Sequence, residues 1–268
     1  MARLSINEMT TYRWSFEEDV VELQAAGIPA IGVWRQKVAD IGEDRAVDLL
    51  AQSGLAVSNL LWAGGFTGSD GHTFIESIQD AADAIRLAAR LRAGCLVVYS
   101  GGRNSHTHNH ARRLFAGALA ELLPLAMELD VTLAVEPMYS ACAAEWTFLT
   151  TLAEAMSLVD EMAHPHLKLA FDTYHLGHDP GVLDEIARVA PHIAIVHLGD
   201  SRKPPTIEQS RQRLCDGILP LRQIVAALQT AGYDGDYDVE LMGEDIEQMC
   251  YRELLQDCRR AFADLLPA

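Results

Sequence analysis

Four apolar stretches in the second half of the chain each end in a side chain that can bind a metal ion. These side chains are Glu136, Asp172, His197 and Glu240. Burying three neighbouring carboxylates without a cation would cost several kcal/mol for each charge. A divalent ion removes that cost, and three carboxylates with one imidazole suit Mn²⁺ or Mg²⁺, with Co²⁺ or Zn²⁺ also compatible. We therefore predict one metal site, although a single strand-end carboxylate is more often a helix cap or an ion-pair partner than a metal ligand.

These side chains can meet only if the strands before them end at the same edge of a sheet. Short β-rich stretches alternate with longer amphipathic ones along the whole chain, which is typical of a (β/α)8 TIM barrel. The predicted strands are Leu4–Glu8, Ile28–Trp34, Leu55–Trp62, Cys95–Tyr99, Val131–Glu136, Leu167–Asp172, Ile193–Leu198 and Tyr237–Leu241. The predicted helices are Ser15–Ala26, Glu43–Ser53, Thr73–Arg92, Ala111–Glu128, Glu145–Met162, Pro180–Ala190, Leu219–Ala231 and Ile246–Leu266.

The alternation predicts an α/β fold in which residues 1–268 form a single TIM-barrel domain, because no linker or composition shift divides the chain. An open, doubly wound sheet is the alternative. It would need a phosphate-binding G-x-G-x-x-G turn after an early strand, and the sequence has none. In a TIM barrel the active site lies at the carboxyl ends of the strands, which is where the four candidate ligands fall.

The charge of the protein limits its partners. Its 268 residues include 38 acidic and 21 basic ones, which gives a formal net charge of −17. Such a surface repels nucleic acid and anionic membranes. The five cysteines form no C-x-x-C pair, and the sequence contains neither a signal-peptide core nor an apolar stretch that could span a bilayer. We expect a soluble, cytoplasmic protein that binds a small molecule, has no nucleic-acid or membrane partner, and could form a homo-oligomer.

The motifs around the four candidate ligands resemble those of a known family. The motifs are Val135-Glu136-Pro137, Phe171-Asp172-Thr173-Tyr174-His175, Val196-His197-Leu198-Gly199-Asp200 and Gly232-Tyr233-Asp234-Gly235 followed by Val239-Glu240. Their order and spacing resemble the sugar phosphate isomerase/epimerase family of xylose isomerase-like TIM barrels. The resemblance implies isomerisation or epimerisation of a sugar-like α-hydroxy-carbonyl compound through a cis-enediolate, with a divalent metal ion as cofactor.

The resemblance also implies roles for individual residues. Glu136 and Glu240 would bind the metal and also act as general base and general acid, removing and returning a substrate proton. His175 would hydrogen-bond a substrate oxygen. Arg202 would neutralise the negative charge of the enediolate.

Two positions depart from the pattern of the ketose 3-epimerases that the chain resembles. Cys142 stands six residues after Glu136, where those enzymes have a second glutamate. Lys203 stands six residues after His197, where they have an arginine, and Arg202 lies one position earlier. The departures leave open a hydroxypyruvate isomerase-like or inosose isomerase-like activity. They also leave open an inosose-type dehydratase, a lyase that shares the enediolate and expels a hydroxyl group.

An endonuclease IV-like DNA repair enzyme, which acts at abasic sites, is a further alternative, because such enzymes use the same fold with a three-metal cluster. Their fourth strand ends in a histidine, whereas the strand here ends at Tyr99. Residues 207–215 also contain neither aspartate nor histidine, so an expected ligand pair is missing. Together with the net charge of −17, these differences disfavour DNA repair.

Aromatic and histidine side chains near the strand ends are further candidates. Trp14, Trp34 and Trp62 follow the first, second and third strands and could line a sugar pocket, because aromatic faces pack against apolar surface. Ordinary loop packing explains them equally well. The His106–His110 segment alternates histidines and resembles a second metal site, but we expect a solvated loop or the start of a helix there.

Overall fold

A computed structural model describes residues 2–142 and 144–266. Eight parallel strands close into a barrel in the order of the sequence, and the last strand pairs with the first. The strands are β1 (Arg3–Asn7), β2 (Ala30–Trp34), β3 (Ala56–Ala63), β4 (Leu96–Val98), β5 (Leu133–Val135), β6 (Leu167–Asp172), β7 (Ile193–Leu198) and β8 (Asp236–Val239). The predicted (β/α)8 TIM barrel is confirmed.

Helices follow the strands and flank the barrel. They are α1 (Phe16–Ala25), α2 (Arg35–Ile41), α3 (Glu43–Ser53), α4 (Phe74–Leu91), α5 (His108–Glu128), α6 (Leu152–Met162), α7 (Thr173–Leu176), α8 (Val182–Val189), α9 (Leu221–Thr230), α10 (Glu244–Glu247) and α11 (Tyr251–Leu265), with a 3-10 turn at Ala190–His192. The start of α1 shows how local sequence sets a helix boundary. The Ser15 hydroxyl accepts from the Glu18 N–H, and the Glu18 carboxylate accepts from the Ser15 N–H. No helix in the described ranges is both long enough and apolar enough to cross a membrane.

Several helices differ from the predicted ones. The helix predicted from Glu145 begins at Leu152, because the Thr151 side chain accepts from the Glu154 N–H and caps it there. The closing helix is divided into α10 and α11. Helix α2 was not predicted at all, and its N-cap residue Trp34 makes no side-chain capping bond, so the sequence signal for a helix start is missing.

Apolar side chains form two layers. The larger one packs the outer face of the strands against the helices. The smaller one fills the barrel interior with fully buried residues, namely Leu61, Cys95, Val97, Ala134, Ala170 and Ile195. Successive side chains of a strand point to opposite faces. On β5, β6 and β7, the residue two positions beyond the interior residue therefore also points into the barrel, nearer its carboxyl end.

Candidate active site

The alternation of side chains along the strands places the predicted metal ligands on the inner face of the barrel. Glu136, Asp172 and His197 each follow an interior residue by two positions, at the carboxyl ends of β5, β6 and β7. The register of the sheet then pairs Asp172 with His197 on neighbouring strands. Glu240 directly follows β8 and completes the group. Strand geometry alone is thus sufficient to gather four side chains from four parts of the sequence.

The four side chains form a compact, buried cluster. One ligand atom from each of Glu136, Asp172, His197 and Glu240 lies within 4.8 Å of the others. The Nδ1 atom of His197 is 3.0 Å from Glu136 Oε1 and 3.2 Å from Glu240 Oε2. Asp172 Oδ2 is buried and meets no hydrogen-bond geometry among the described residues, although the Arg211 guanidinium lies 2.9 Å from it. A buried donor set of three carboxylates and one imidazole fits a divalent cation.

The carboxylates change the protonation of the cluster. Burial opposes the charged imidazolium, but Glu240 and Glu136 raise the pKa of His197 to about 10. Burial raises the pKa of Glu240 to about 7. Because a metal ligand must be deprotonated, a cation that binds here would displace a proton from His197.

Arg211 adds a buried cation to the cluster. Its Nη2 atom lies 2.9 Å from Asp172 Oδ2 and 3.2 Å from Glu240 Oε2, and its Nη1 donates to the Glu240 carbonyl oxygen at 3.0 Å. The guanidinium lies over the Tyr174 ring, 4.7 Å from the centroid. Burial opposes its charge, but Asp172 and Glu240 raise the pKa of Arg211 further above its ordinary value. It therefore offsets part of the negative charge of the ligands.

Arg202, the arginine proposed from sequence, is in a different place. It is exposed and does not line the cavity at the cluster, and its neighbour Lys203 is exposed as well. The chain continues past both and returns to the barrel, where the Arg211 N–H donates to the Met242 carbonyl at 2.8 Å. The irregular segment after β7 carries no periodic pattern, so the sequence did not indicate which arginine would reach the cluster.

His175 borders the cluster as a neutral imidazole. Burial lowers the pKa of His175 to about 4. Its Nδ1 accepts the Tyr139 N–H at 3.3 Å, so the proton of the neutral ring resides on Nε2. That nitrogen is 3.8 Å from Asp172 Oδ2, and the side chain lines the cavity. His175 can therefore donate a hydrogen bond to a ligand oxygen.

A polar layer lies beneath the cluster, inside the barrel. Asp238 Oδ2 accepts from the side-chain amides of Asn7 and Asn59, both at 2.7 Å. The Nε2 atom of His197 has no hydrogen-bond partner among the described residues and lies 4.0 Å from the same oxygen. A Cβ at Gly32 would come within 2.3 Å of that oxygen, so the glycine makes room for the layer. Asp238 was not among the predicted site residues, although it precedes Glu240 by two positions on the same face.

We expect Asp238→Asn to weaken Mn²⁺ binding about 10- to 100-fold, because the Asp238 carboxylate faces His197 Nε2 at 4.0 Å and its charge favours the ring orientation that turns Nδ1 towards the other ligands. Titration calorimetry on the folded variant measures the change. Asp236→Asn is the matched control: it removes a carboxylate from the same strand at the opposite end of the barrel, where Asp236 pairs with Arg3 at 2.6 Å. Unchanged Mn²⁺ affinity in Asp238→Asn would contradict this positioning role.

A cavity of about 770 Å³ opens above the cluster. Two of the three predicted tryptophans, Trp34 and Trp62, line it, and Tyr99 and Trp146 extend the aromatic wall. The ring of Trp146 lies 5.5 Å from those of both Trp62 and Tyr99. Trp14 does not line the cavity. It packs on the core with its ring 5.2 Å from Tyr251.

The histidine-rich segment forms the start of a helix. Helix α5 begins at His108, and the Thr107 side chain caps it by accepting from the His110 N–H. The segment expected to be a solvated loop or a helix start is therefore a helix start, and the helix begins three residues before the predicted Ala111. Within the part of the chain that the structure describes, the group that could hold a metal ion is the strand-end cluster and includes none of these histidines.

The barrel, its inward cluster and the cavity above it together define a TIM barrel with a candidate metal-dependent active site. The chain belongs to the xylose isomerase-like TIM barrel family, whose model matches residues 19–257. The family indicated by the sequence motifs is confirmed.

Known proteins similar to this chain include two sugar epimerases. A D-psicose 3-epimerase from Enterocloster bolteae is 32% identical over 118 residues, which cover 44% of this chain and 36% of that enzyme. An L-ribulose-5-phosphate 3-epimerase from Escherichia coli is 27% identical over 141 residues, which cover 52% of this chain and 46% of the enzyme. The matched segments thus span less than half of either relative. A solved structure of a protein from Sinorhizobium meliloti 1021 is 30% identical, with a TM-score of 0.91 over 99% of this chain and 98% of that one.

Proposed function

We propose that this protein is a divalent-metal-dependent isomerase or epimerase of a sugar-like α-hydroxy-carbonyl compound. The observation that carries the proposal is the buried cluster of Glu136, Asp172, His197 and Glu240, whose ligand atoms lie within 4.8 Å of one another at the floor of a cavity. The activities named for the D-psicose and L-ribulose-5-phosphate 3-epimerase relatives support it.

The cluster would hold one divalent ion, with Mn²⁺ or Mg²⁺ favoured by its three carboxylates and Co²⁺ or Zn²⁺ also compatible. When bound, such an ion polarises a substrate carbonyl and makes the neighbouring C–H more acidic. Its charge would also neutralise the excess of carboxylates that Arg211 leaves.

The protein's own residues would move the proton. Glu136 and Glu240 both approach His197 Nδ1, at 3.0 and 3.2 Å. We assign to this pair the removal of a proton from the carbon beside the carbonyl and its return. Return to the opposite face of the same carbon gives an epimer, and return to the neighbouring carbon gives an isomer.

The neighbouring side chains would bind and shield the substrate. His175 would donate its Nε2 proton to a substrate oxygen, and Arg211 would offset the charge of the enediolate, the role that the resemblance suggested for Arg202. Trp34 and Trp62 would pack against the C–H face of the sugar and exclude water.

Metal content and proton exchange test the proposal together. After weakly held metal is removed, mass spectrometry is expected to find one divalent ion per chain. In D₂O, the metal-loaded protein is expected to incorporate deuterium beside the carbonyl of D-psicose, L-ribulose or an inosose and to form an epimer or isomer. A product that lacks one water relative to the substrate would instead establish the dehydratase. Absence of both metal binding and deuterium incorporation would overturn the proposal.

A further inference from the structure

We propose that the site selects an uncharged sugar and rejects its phosphate ester. This inference rests on the proposed function and specifies the substrate class of the same site. Two of the epimerases similar to this chain differ in this respect, since one is named for D-psicose and the other for L-ribulose 5-phosphate. The charges around the cavity discriminate between the two classes.

The outer wall of the cavity carries more carboxylates than cations. Among the described lining residues other than the cluster and Arg211, it contains the carboxylates of Glu43, Asp70 and Asp80 but a single permanent cation, Arg35. Glu43 is paired with Arg90, which does not line the cavity. If the reacting carbons lie at the floor, a phosphate on the far end of the sugar points towards this wall. Placing like charges side by side is unfavourable and discriminates against such a ligand.

Arg35 is already engaged by a carboxylate. Its Nη1 and Nη2 atoms donate to the two oxygens of Asp80 at 2.8 and 2.7 Å, and Nη1 also donates to the Trp62 carbonyl at 2.9 Å. The other basic side chain on the wall, His72, lies 3.2 Å from Asp70. A phosphate would have to displace a carboxylate from either group before it could pair with it.

The loops after β7 and β8, where TIM barrels often bind phosphate, are also occupied by acidic groups. After β7, the buried carboxylate of Asp200 accepts three backbone N–H groups, from Ser201 at 2.7 Å, Gly217 at 3.0 Å and Leu219 at 3.2 Å. These are donors that a phosphate would use. After β8, the first turn of α10 carries acidic residues, among them Glu244. The basic residues early in the loop after β7, Arg202 and Lys203, are exposed and do not line the cavity.

Binding of a matched pair of sugars tests the inference. Tryptophan fluorescence follows binding, because Trp34, Trp62 and Trp146 line the cavity. We expect L-ribulose to bind at least about tenfold more tightly than L-ribulose 5-phosphate at low ionic strength, both with and without Mg²⁺. Tighter binding of the phosphate ester, or no binding of either sugar, would overturn the inference. Binding of L-ribulose without proton exchange would support the inference and contradict the proposed function.

Two variants of helix α4 test whether the Arg35–Asp80 pair causes the preference for the uncharged sugar. Asp80→Asn frees Arg35 from its carboxylate partner. We expect it to reduce the ratio of the affinities for L-ribulose and L-ribulose 5-phosphate about three- to tenfold. Asp83→Asn is the matched control, because Asp83 acts on Arg35 only through its charge, pairs with Arg86 at 2.8 Å on the same helix and does not line the cavity. It is expected to leave the preference within about twofold of wild type. An equal effect of both substitutions would contradict the role of the Arg35–Asp80 pair.

Discussion

Glu240→Gln is expected to lower turnover about 10²- to 10⁴-fold while substrate binding is largely retained, because the amide cannot accept and return a proton. Glutamine has nearly the same shape and keeps one oxygen that can face a cation. The substitution affects the carboxylate whose Oε2 atom lies between His197 Nδ1 and Arg211 Nη2, each at 3.2 Å. Proton transfer is therefore altered more than the architecture of the cluster.

Deuterium uptake from D₂O into the sugar measures this effect directly, since it reports the proton step even when no net product accumulates. Glu244→Gln provides the control, because Glu244 is exposed on α10 and lies outside the cluster. Circular dichroism verifies that both variants fold. Exchange at the wild-type rate in Glu240→Gln would remove this carboxylate from the mechanism.

The barrel and the cluster could be predicted from the sequence because both follow from local rules. Strand alternation fixes which face a residue points to, and parallel strands in a barrel bring their carboxyl ends together. Glu136, Asp172 and His197 end apolar strands, so their convergence needed no knowledge of the loops. Asp238 was within reach of the same reasoning, because it shares a face with Glu240.

Arg211 and Trp146 could not be predicted in this way. Both lie in irregular segments, after β7 and β5, whose paths are set by tertiary contacts and not by periodicity. One such contact is the bridge between Asp200 and Gln212, which brings the residue beside it, Arg211, back over the barrel. Proximity in sequence favoured Arg202, only five residues after His197, but the chain turns outward there.

One pair of variants can show whether Arg211 or Arg202 contributes to the reaction. Arg211→Met is expected to reduce kcat/KM about 10²- to 10³-fold, because it removes the buried cation that would offset the developing charge of the enediolate. Arg202→Met is expected to have almost no effect, since Arg202 is exposed and outside the cavity. The reverse ranking would restore the role first assigned to Arg202.

Arg211 also contributes to the fold, and a complete test distinguishes this from its part in the reaction. Without it, Asp172 and Glu240 lose the buried cation that lies 2.9 and 3.2 Å away. The metal-free Arg211→Met protein should therefore unfold at a lower temperature than the metal-free wild type, because unpaired buried charges are costly. A divalent ion in the cluster would neutralise the same carboxylates and restore much of that stability, but not the turnover.

Arg211→Lys, which keeps the charge and loses the planar fork, should recover stability more fully than kcat. If kcat and melting temperature instead recovered together in the lysine variant and on addition of metal, Arg211 would be a structural counter-ion with no part in the reaction.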